Sequence, residues 1–209
     1  MTSRFDAGLY RWVTDLAHRA PEPLDQTVRW FSDYGLGIFA LLMLLAWWRA
    51  RPADSTRMAT ALSVPLVVVA TYLVNDVVKS LFAEQRPCRT LHTVTVEPCP
   101  GLGDWSFPSN HTAIAVAATV ALLIANRRLG WTALPVALLL AASRVWIGVH
   151  YPHDVLAAVV VGVAVAWPLT VAARRAAPVV EQLRGTRWLG PVLSQDPVDA
   201  ATGGAPPLR

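Results

Sequence analysis

Apolar residues in this chain are gathered into long runs, separated by short polar stretches rich in arginine. The first run covers about residues 30–48 and closes on Trp47-Trp48 ahead of Arg49 and Arg51. A second extends from about Met58 to Phe82, with Pro65 inside it as the expected site of a kink. The third runs from about Ser109 to Ala125 and is stopped by Arg127-Arg128. The fourth covers about Trp131 to Val149, and the fifth about Asp154 to Ala173, stopped by Arg174-Arg175. Each approaches the roughly 20 residues that a helix needs to cross the hydrocarbon core of a bilayer. Ahead of them, Phe5, Leu9, Trp12, Val13 and Leu16 recur at helical spacing among charged residues. That pattern predicts an amphipathic helix lying in the interface and ended by Pro21 and Pro23.

The fold expected is therefore all-α: a polytopic membrane helix bundle with an N-terminal amphipathic helix. It has five transmembrane helices, or six if another crossing is made near the N-terminus. Residues 1–29 form the interfacial segment, 30–173 the transmembrane domain, and 174–209 a cytoplasmic tail, largely disordered from about Pro191. The first 20 residues lack the uninterrupted apolar core of a cleaved signal peptide, so the run near residue 35 is expected to act as an uncleaved anchor.

Composition sharpens this. Of 209 residues, 54% are hydrophobic and only 15% are charged, against roughly 25% in an average soluble domain. The formal charge of +4 comes from basic residues interleaved with the apolar runs. They form no continuous patch, which excludes a nucleic-acid partner. Three arginines lie in 49–57, two in 126–130 and two just after the fifth run, all on one side of the bundle. The positive-inside rule makes that side cytoplasmic. The 83–108 loop and the 150–153 turn then face outward, in a multi-pass protein of the plasma membrane. Cys88 and Cys99 share that loop, where they either close a disulfide or remain free thiols.

Three polar clusters fall at run ends on that outer side, where polar groups are costly unless used. Lys79 and Arg86 are seven apart, so on one helix both would project from one face, with Pro87 marking where that helix gives way to loop. Pro108-Ser109-Asn110-His111 opens the third run; Ser109 suits an N-cap, and the amides of a first helical turn can hold an anion. The segment Ser143 to Asp154 reads SRVWIGVHYPHD. In it Arg144 offers a planar fork of donors for phosphate, and His150 is a nucleophile or general base. Asp154, four residues on, would hold the imidazole tautomer from the same helical face. Taken singly, these clusters also fit snorkelling cations, a capped helix and a structural Arg-Asp pair.

Together they resemble the type 2 phosphatidic acid phosphatase superfamily, the membrane lipid-phosphate phosphatases. Its pattern is Lys-x6-Arg-Pro, then Pro-Ser-Gly-His, then Ser-Arg-x5-His-x3-Asp. Lys79 through Pro87 and Ser143 through Asp154 match fully, while Pro108 through His111 departs once, with Asn110 in place of Gly. The resemblance covers about residues 58–173 and implies that His150 attacks phosphorus to form a phosphohistidine. It further implies that Asp154 orients His150 and that His111 protonates the leaving oxygen. Lys79, Arg86, Ser109, Asn110 and Arg144 would hold the phosphate oxygens, without metal or cofactor. The implied substrate is a lipid phosphate or diphosphate, of the undecaprenyl diphosphate or phosphatidate type. A non-enzymatic lipid-phosphate binder or transporter carrying the same clamp is the alternative, though it has no need of a paired nucleophile.

Overall fold

In the computed structural model, residues 6–194 are described, and among them every regular element is helical. The chain runs through α1 (Ala7–Arg19), α2 (Glu22–Tyr34), α3 (Leu36–Ala50), α4 (Ser55–Phe82), the one-turn α5 (Pro87–Thr90) and α6 (Asn110–Ala125). It continues through α7 (Arg127–Trp146), α8 (Pro152–Ala173), a 3-10 turn at Arg174–Ala176, α9 (Ala177–Arg184) and α10 (Gly190–Leu193). Helices α4, α7 and α8 are each long and apolar enough to cross a membrane. The pair α2 and α3 makes a fourth candidate span if taken together, bent by 46°.

Sequence dictates where these helices begin. Asp54 caps α4 by accepting a hydrogen bond from the Arg57 amide at 2.9 Å, and the Asn126 side chain accepts from Leu129 at the start of α7. Pro152 opens α8 at the first helical position, where its missing N–H is no loss.

The apolar pattern is turned outward. On α4, Leu66, Val69, Leu73, Val77 and Leu81 are exposed, as are Leu138 and Leu139 on α7 and Leu156, Val160, Val163 and Trp167 on α8. A contiguous apolar exterior of this kind suits lipid. The buried stripe of α4 reads Val64, Val67, Thr71, Asn75 and Lys79, becoming polar toward one end. The 16-residue α6 is the hub, packed against α4, α7 and α8. Its buried residues include Ala113, Ala115, Ala117, Ala118 and Ala121, small enough to let neighbouring backbones come close.

Two boundaries differ from the sequence reading. The first span does not begin at residue 30: α2 occupies Glu22–Tyr34, and α3 starts after the break at Gly35. Pro65 lies inside α4, as the sequence reading had it. Within the expected tail, residues 174–194 form a 3-10 turn, α9, α10 and their connections, so that helix reaches past Pro191, where disorder was expected to begin. They are held because Val180 and Leu193 pack on Ala50, Met58, Ala59 and Ala61, while Arg51 donates to the Pro191 and Ser194 carbonyls. Residues 195–209 lie outside the described residues.

Candidate active site

The C-terminal end of α4, the start of α6, the end of α7 and the start of α8 converge at one end of the bundle. A cavity of about 340 Å³ opens there, walled by Lys79, Arg86, Asn110, His111, Arg144 and His150, with Glu97 and Asp104 at its loop side. Five of the eight residues singled out from sequence for catalysis or phosphate binding thus share the wall with His150. Asp154 lies directly behind His150, and Ser109 is fully buried beside the wall rather than in it.

His150 precedes α8 and is reached through Gly148, whose backbone is left-handed at φ 87°. A Cβ at that glycine would sit 2.4 Å from the Thr95 methyl group, so the turn has neither the conformation nor the room for another residue. Nδ1 of His150 lies 3.3 Å from Oδ2 of Asp154, and Nε2 lies 3.2 Å from Nη1 of Arg86. A guanidinium can only donate, so Nε2 accepts and Nδ1 carries the proton toward Asp154. The lone pair of Nε2 therefore faces the cations. Burial, followed by the charges of Arg86, Arg144 and Lys79, pushes the imidazole well below its ordinary range, which keeps it neutral.

Asp154 does not meet His150 along one helical face, as the spacing of four had suggested. His150 lies before the helix, and Asp154 reaches back across the N-terminal turn of α8. Its Oδ2 accepts from the Tyr151 amide at 2.7 Å and from the Ser106 hydroxyl. Lys79 and Arg86 are likewise not on one helix. α4 ends at Phe82, where Ala83 adopts a left-handed conformation, and Arg86 stands in extended backbone before α5. Pro87 opens α5 rather than ending α4.

The cations are fixed by carbonyls of the connecting loop. Lys79 Nζ donates to the Trp105 carbonyl at 2.9 Å. Arg86 donates through Nε to the Asp104 carbonyl, through Nη2 to the Asp104 carboxylate and through Nη1 to the Val149 carbonyl. A disulfide between Cys88 and Cys99 closes this loop, which decides between the pairing and the free thiols. Arg144 donates from Nη1 to Ser32 of α2 at 2.7 Å, and its buried Nε has no hydrogen-bond partner. Asn110 accepts from Asn75 at 2.6 Å through Oδ1, which leaves its amide nitrogen for the cavity.

Several contributors were missed in the sequence. Asn75 is one turn before Lys79 on the buried stripe, a signal that was available. Ser106 and Ser32 carried none. Behind Asp154, His153 directs Nε2 to Glu84 and to Oδ1 of Asp154, each at 3.3 Å, while Asp6 takes its backbone amide at 2.8 Å and faces Nδ1 at 3.1 Å. No separate metal-ligand cluster was expected. Glu84, His153 and Asp154 nevertheless bring possible ligand atoms within 4.8 Å of one another, with the imidazole itself between the two carboxylates.

A histidine lone pair aimed among three cations, at one end of a lipid-facing bundle, is an arrangement able to receive a phosphate group at a membrane. The chain belongs to the PAP2 superfamily, whose family model matches residues 60–177. It is 31% identical over 157 residues to the undecaprenyl-diphosphatase BcrC of Bacillus subtilis (strain 168), across 74% of this chain and 77% of that protein. An undecaprenyl-diphosphatase of Sulfolobus acidocaldarius is 34% identical over 96 residues, 45% of this chain and 46% of that one. Among solved structures, Aquifex aeolicus LpxE superposes with a TM-score of 0.62 at 21% identity, covering 83% of this chain and 97% of that one. A PAP2-type phosphatidylglycerolphosphate phosphatase from Bacillus subtilis gives 0.56 at 18% identity, covering 88% and 87%. Those two likenesses concern the fold.

Proposed function

We propose that this lipid phosphatase cleaves the diphosphate of a polyprenyl carrier lipid, the undecaprenyl diphosphate class, through a phosphohistidine on His150. The observation that carries the chemistry is the contact between Arg86 Nη1 and His150 Nε2 at 3.2 Å, which fixes the tautomer. The relationship to the Bacillus undecaprenyl-diphosphatase supports the choice of lipid.

Nε2 attacks the terminal phosphorus, forming the N–P bond as the bond to the bridging oxygen breaks. His111, in the cavity wall, gives its proton to that oxygen, and the lipid monophosphate departs. Water then attacks the phosphohistidine, His111 takes its proton, and inorganic phosphate leaves with His150 restored. Asp154 stabilises the positive charge that develops on the imidazole when Nε2 bonds to phosphorus. Lys79, Arg86, Arg144 and the Asn110 amide hold the non-bridging oxygens as charge shifts.

The site faces the extracytoplasmic side in this reading, because the arginine-rich helix ends lie at the other end of the bundle. Purified protein incubated with undecaprenyl diphosphate, undecaprenyl phosphate and phosphatidate should release phosphate fastest from the diphosphate, with EDTA present. A preference for phosphatidate overturns the substrate assignment, and activity restored only by added metal overturns the mechanism. Labelling of Cys88 or Cys99 in intact, reduced cells by an impermeant thiol reagent tests the orientation; labelling only after lysis reverses it.

A further inference from the structure

At the end of the bundle opposite His150, five arginines from four elements border a second, larger cavity of about 870 Å³. Arg49 lies in the last turn of α3, Arg57 in the first turn of α4, Arg127 and Arg128 open α7, and Arg174 follows α8. Asp54 is the one carboxylate in the described lining, and it is engaged with Arg57 at 3.5 Å. Among the described residues, Arg49, Arg127, Arg128 and Arg174 have no ion-pair partner.

A topological bias toward arginine on one side explains their number but not their convergence on one concave wall. Neighbouring arginines show the contrast. Arg51 donates to the Pro191 and Ser194 carbonyls and lies over the Trp48 ring at 4.8 Å, and Arg184 donates to the Ala50 carbonyl. Those two tie the α9 and α10 segment to α3. Apart from the Arg57–Asp54 pair, the cavity arginines are bound to nothing comparable; all five are exposed, and like charges gathered around one concavity attract an anion from solution. Planar guanidinium forks match phosphate oxygens two at a time. Leu123, Ile124 and Ala125 of α6, with Ala46 and Ala50 of α3, supply an apolar wall beside them.

We infer that this cavity is a binding site for a phosphate-bearing anion, separate from the catalytic cluster and drawing together the ends of α3, α4, α7 and α8. Two sources offer that chemistry: the headgroup of an anionic phospholipid, with its chains along the apolar wall, and free phosphate.

The test is thermal unfolding of the full purified chain in neutral detergent, with phosphatidylglycerol, phosphatidylcholine or inorganic phosphate added. Phosphatidylglycerol should raise the midpoint by about 5–10 °C at roughly a hundredfold its dissociation constant, while phosphatidylcholine should not. The shift should persist in Arg144→Ala, which removes a cation from the catalytic cluster. It should weaken in Arg127→Gln and Arg174→Gln, each lowering apparent affinity about tenfold or more while turnover is retained. Removing arginines also alters the signal for membrane insertion, so Thr56→Trp provides a second arm: it projects an indole into the cavity with every arginine kept and should weaken the shift. An equal, saturable shift from inorganic phosphate, lost in the same variants, assigns a free anion as the source. The inference fails if neither probe shifts the midpoint, or if the shift is unchanged in the arginine and Thr56 variants. A protein that shows the shift yet hydrolyses no lipid phosphate would defeat the catalytic reading and leave this one intact.

Discussion

Asp154 reaches His150 from across a chain reversal: its Oδ2 stands 3.3 Å from Nδ1 and is held there by the Tyr151 amide and the Ser106 hydroxyl. Ser106 arrives from the loop before α6, 48 residues away in sequence. Ser106→Ala should therefore lower kcat about tenfold with little change in KM, because it loosens the group that orients the nucleophile without touching substrate. Asp154→Asn should lower kcat by about a thousandfold or more. Steady-state kinetics on both purified variants decide this, and a Ser106→Ala effect confined to KM would count against the positioning role.

His153 extends the arrangement outward. Its two ring nitrogens face three carboxylates, Asp6 at one and Glu84 with Asp154 at the other, so both act as donors and the ring ties the start of α1 to Asp154. His153→Ala and Asp6→Asn should each reduce kcat several-fold. The double variant should be little worse than either alone, since they interrupt one chain of contacts. Additive losses would show that Asp6 acts elsewhere.

Acidity should act late on the rate. With His150 held well below the ordinary imidazole range by burial and by Arg86, Arg144 and Lys79, the proposed nucleophile stays neutral through about pH 6.5 and below. For stability the sign is fixed by proton uptake: the unfolded chain binds a proton at His150 before the folded one does. The contribution from this residue is complete above about pH 6.5 and declines as pH falls toward the folded value. A pH titration of unfolding, comparing the native chain with His150→Gln, should show a steeper acid-side slope in the native chain.

Reduction of the Cys88–Cys99 disulfide should be felt at the site as well as in stability. The bridge joins residues 11 apart, in the loop whose later carbonyls hold Lys79 and Arg86. Loop-closure entropy gives it about 2–3 kcal/mol. Cys88→Ser with Cys99→Ser should lower the unfolding midpoint and raise KM, measured by thermal denaturation and by kinetics under matched conditions.

Arg144→Ala should lower turnover by roughly a hundredfold or more and weaken vanadate inhibition in parallel, because one guanidinium would serve both phosphate and its pentavalent analogue. Inhibition constants measured alongside rates test the link; unchanged vanadate affinity would move Arg144 out of the anion site. Ser32→Ala, which removes the hydroxyl holding Arg144 at 2.7 Å, should show a weaker version of the same pattern.

The sequence carried the cavity's chemistry in its spacing but not its geometry. Lys79, Arg86, Asn110, His111, Arg144 and His150 all line one cavity, as their places at the ends of apolar runs suggested. What held them there was invisible, because the partners are distant: Arg144 meets Ser32 across 112 residues, and Arg86 meets Asp104 across 18. A spacing of four or seven was read as a shared helical face, whereas the chain breaks its helices between Lys79 and Arg86 and before Pro152. Both breaks are local backbone events, a left-handed Ala83 and a proline-led start, which apolar periodicity does not register. The same blindness hid α2, whose polar face obscured it, and α9, whose apolar residues are too few to form a run.

The alanines of α6 have a consequence for how this protein tolerates change. They react with nothing, yet their small size sets how closely α4, α7 and α8 approach, and α4 and α7 deliver residues to both cavities. Replacing Ala113 or Ala117 by leucine would wedge the hub outward and shift His150, Lys79 and Arg144 apart together. In a scan of every position, the deepest losses should therefore include sites bearing no functional group at all. There, a few added methyl groups would silence the enzyme as surely as deleting its nucleophile.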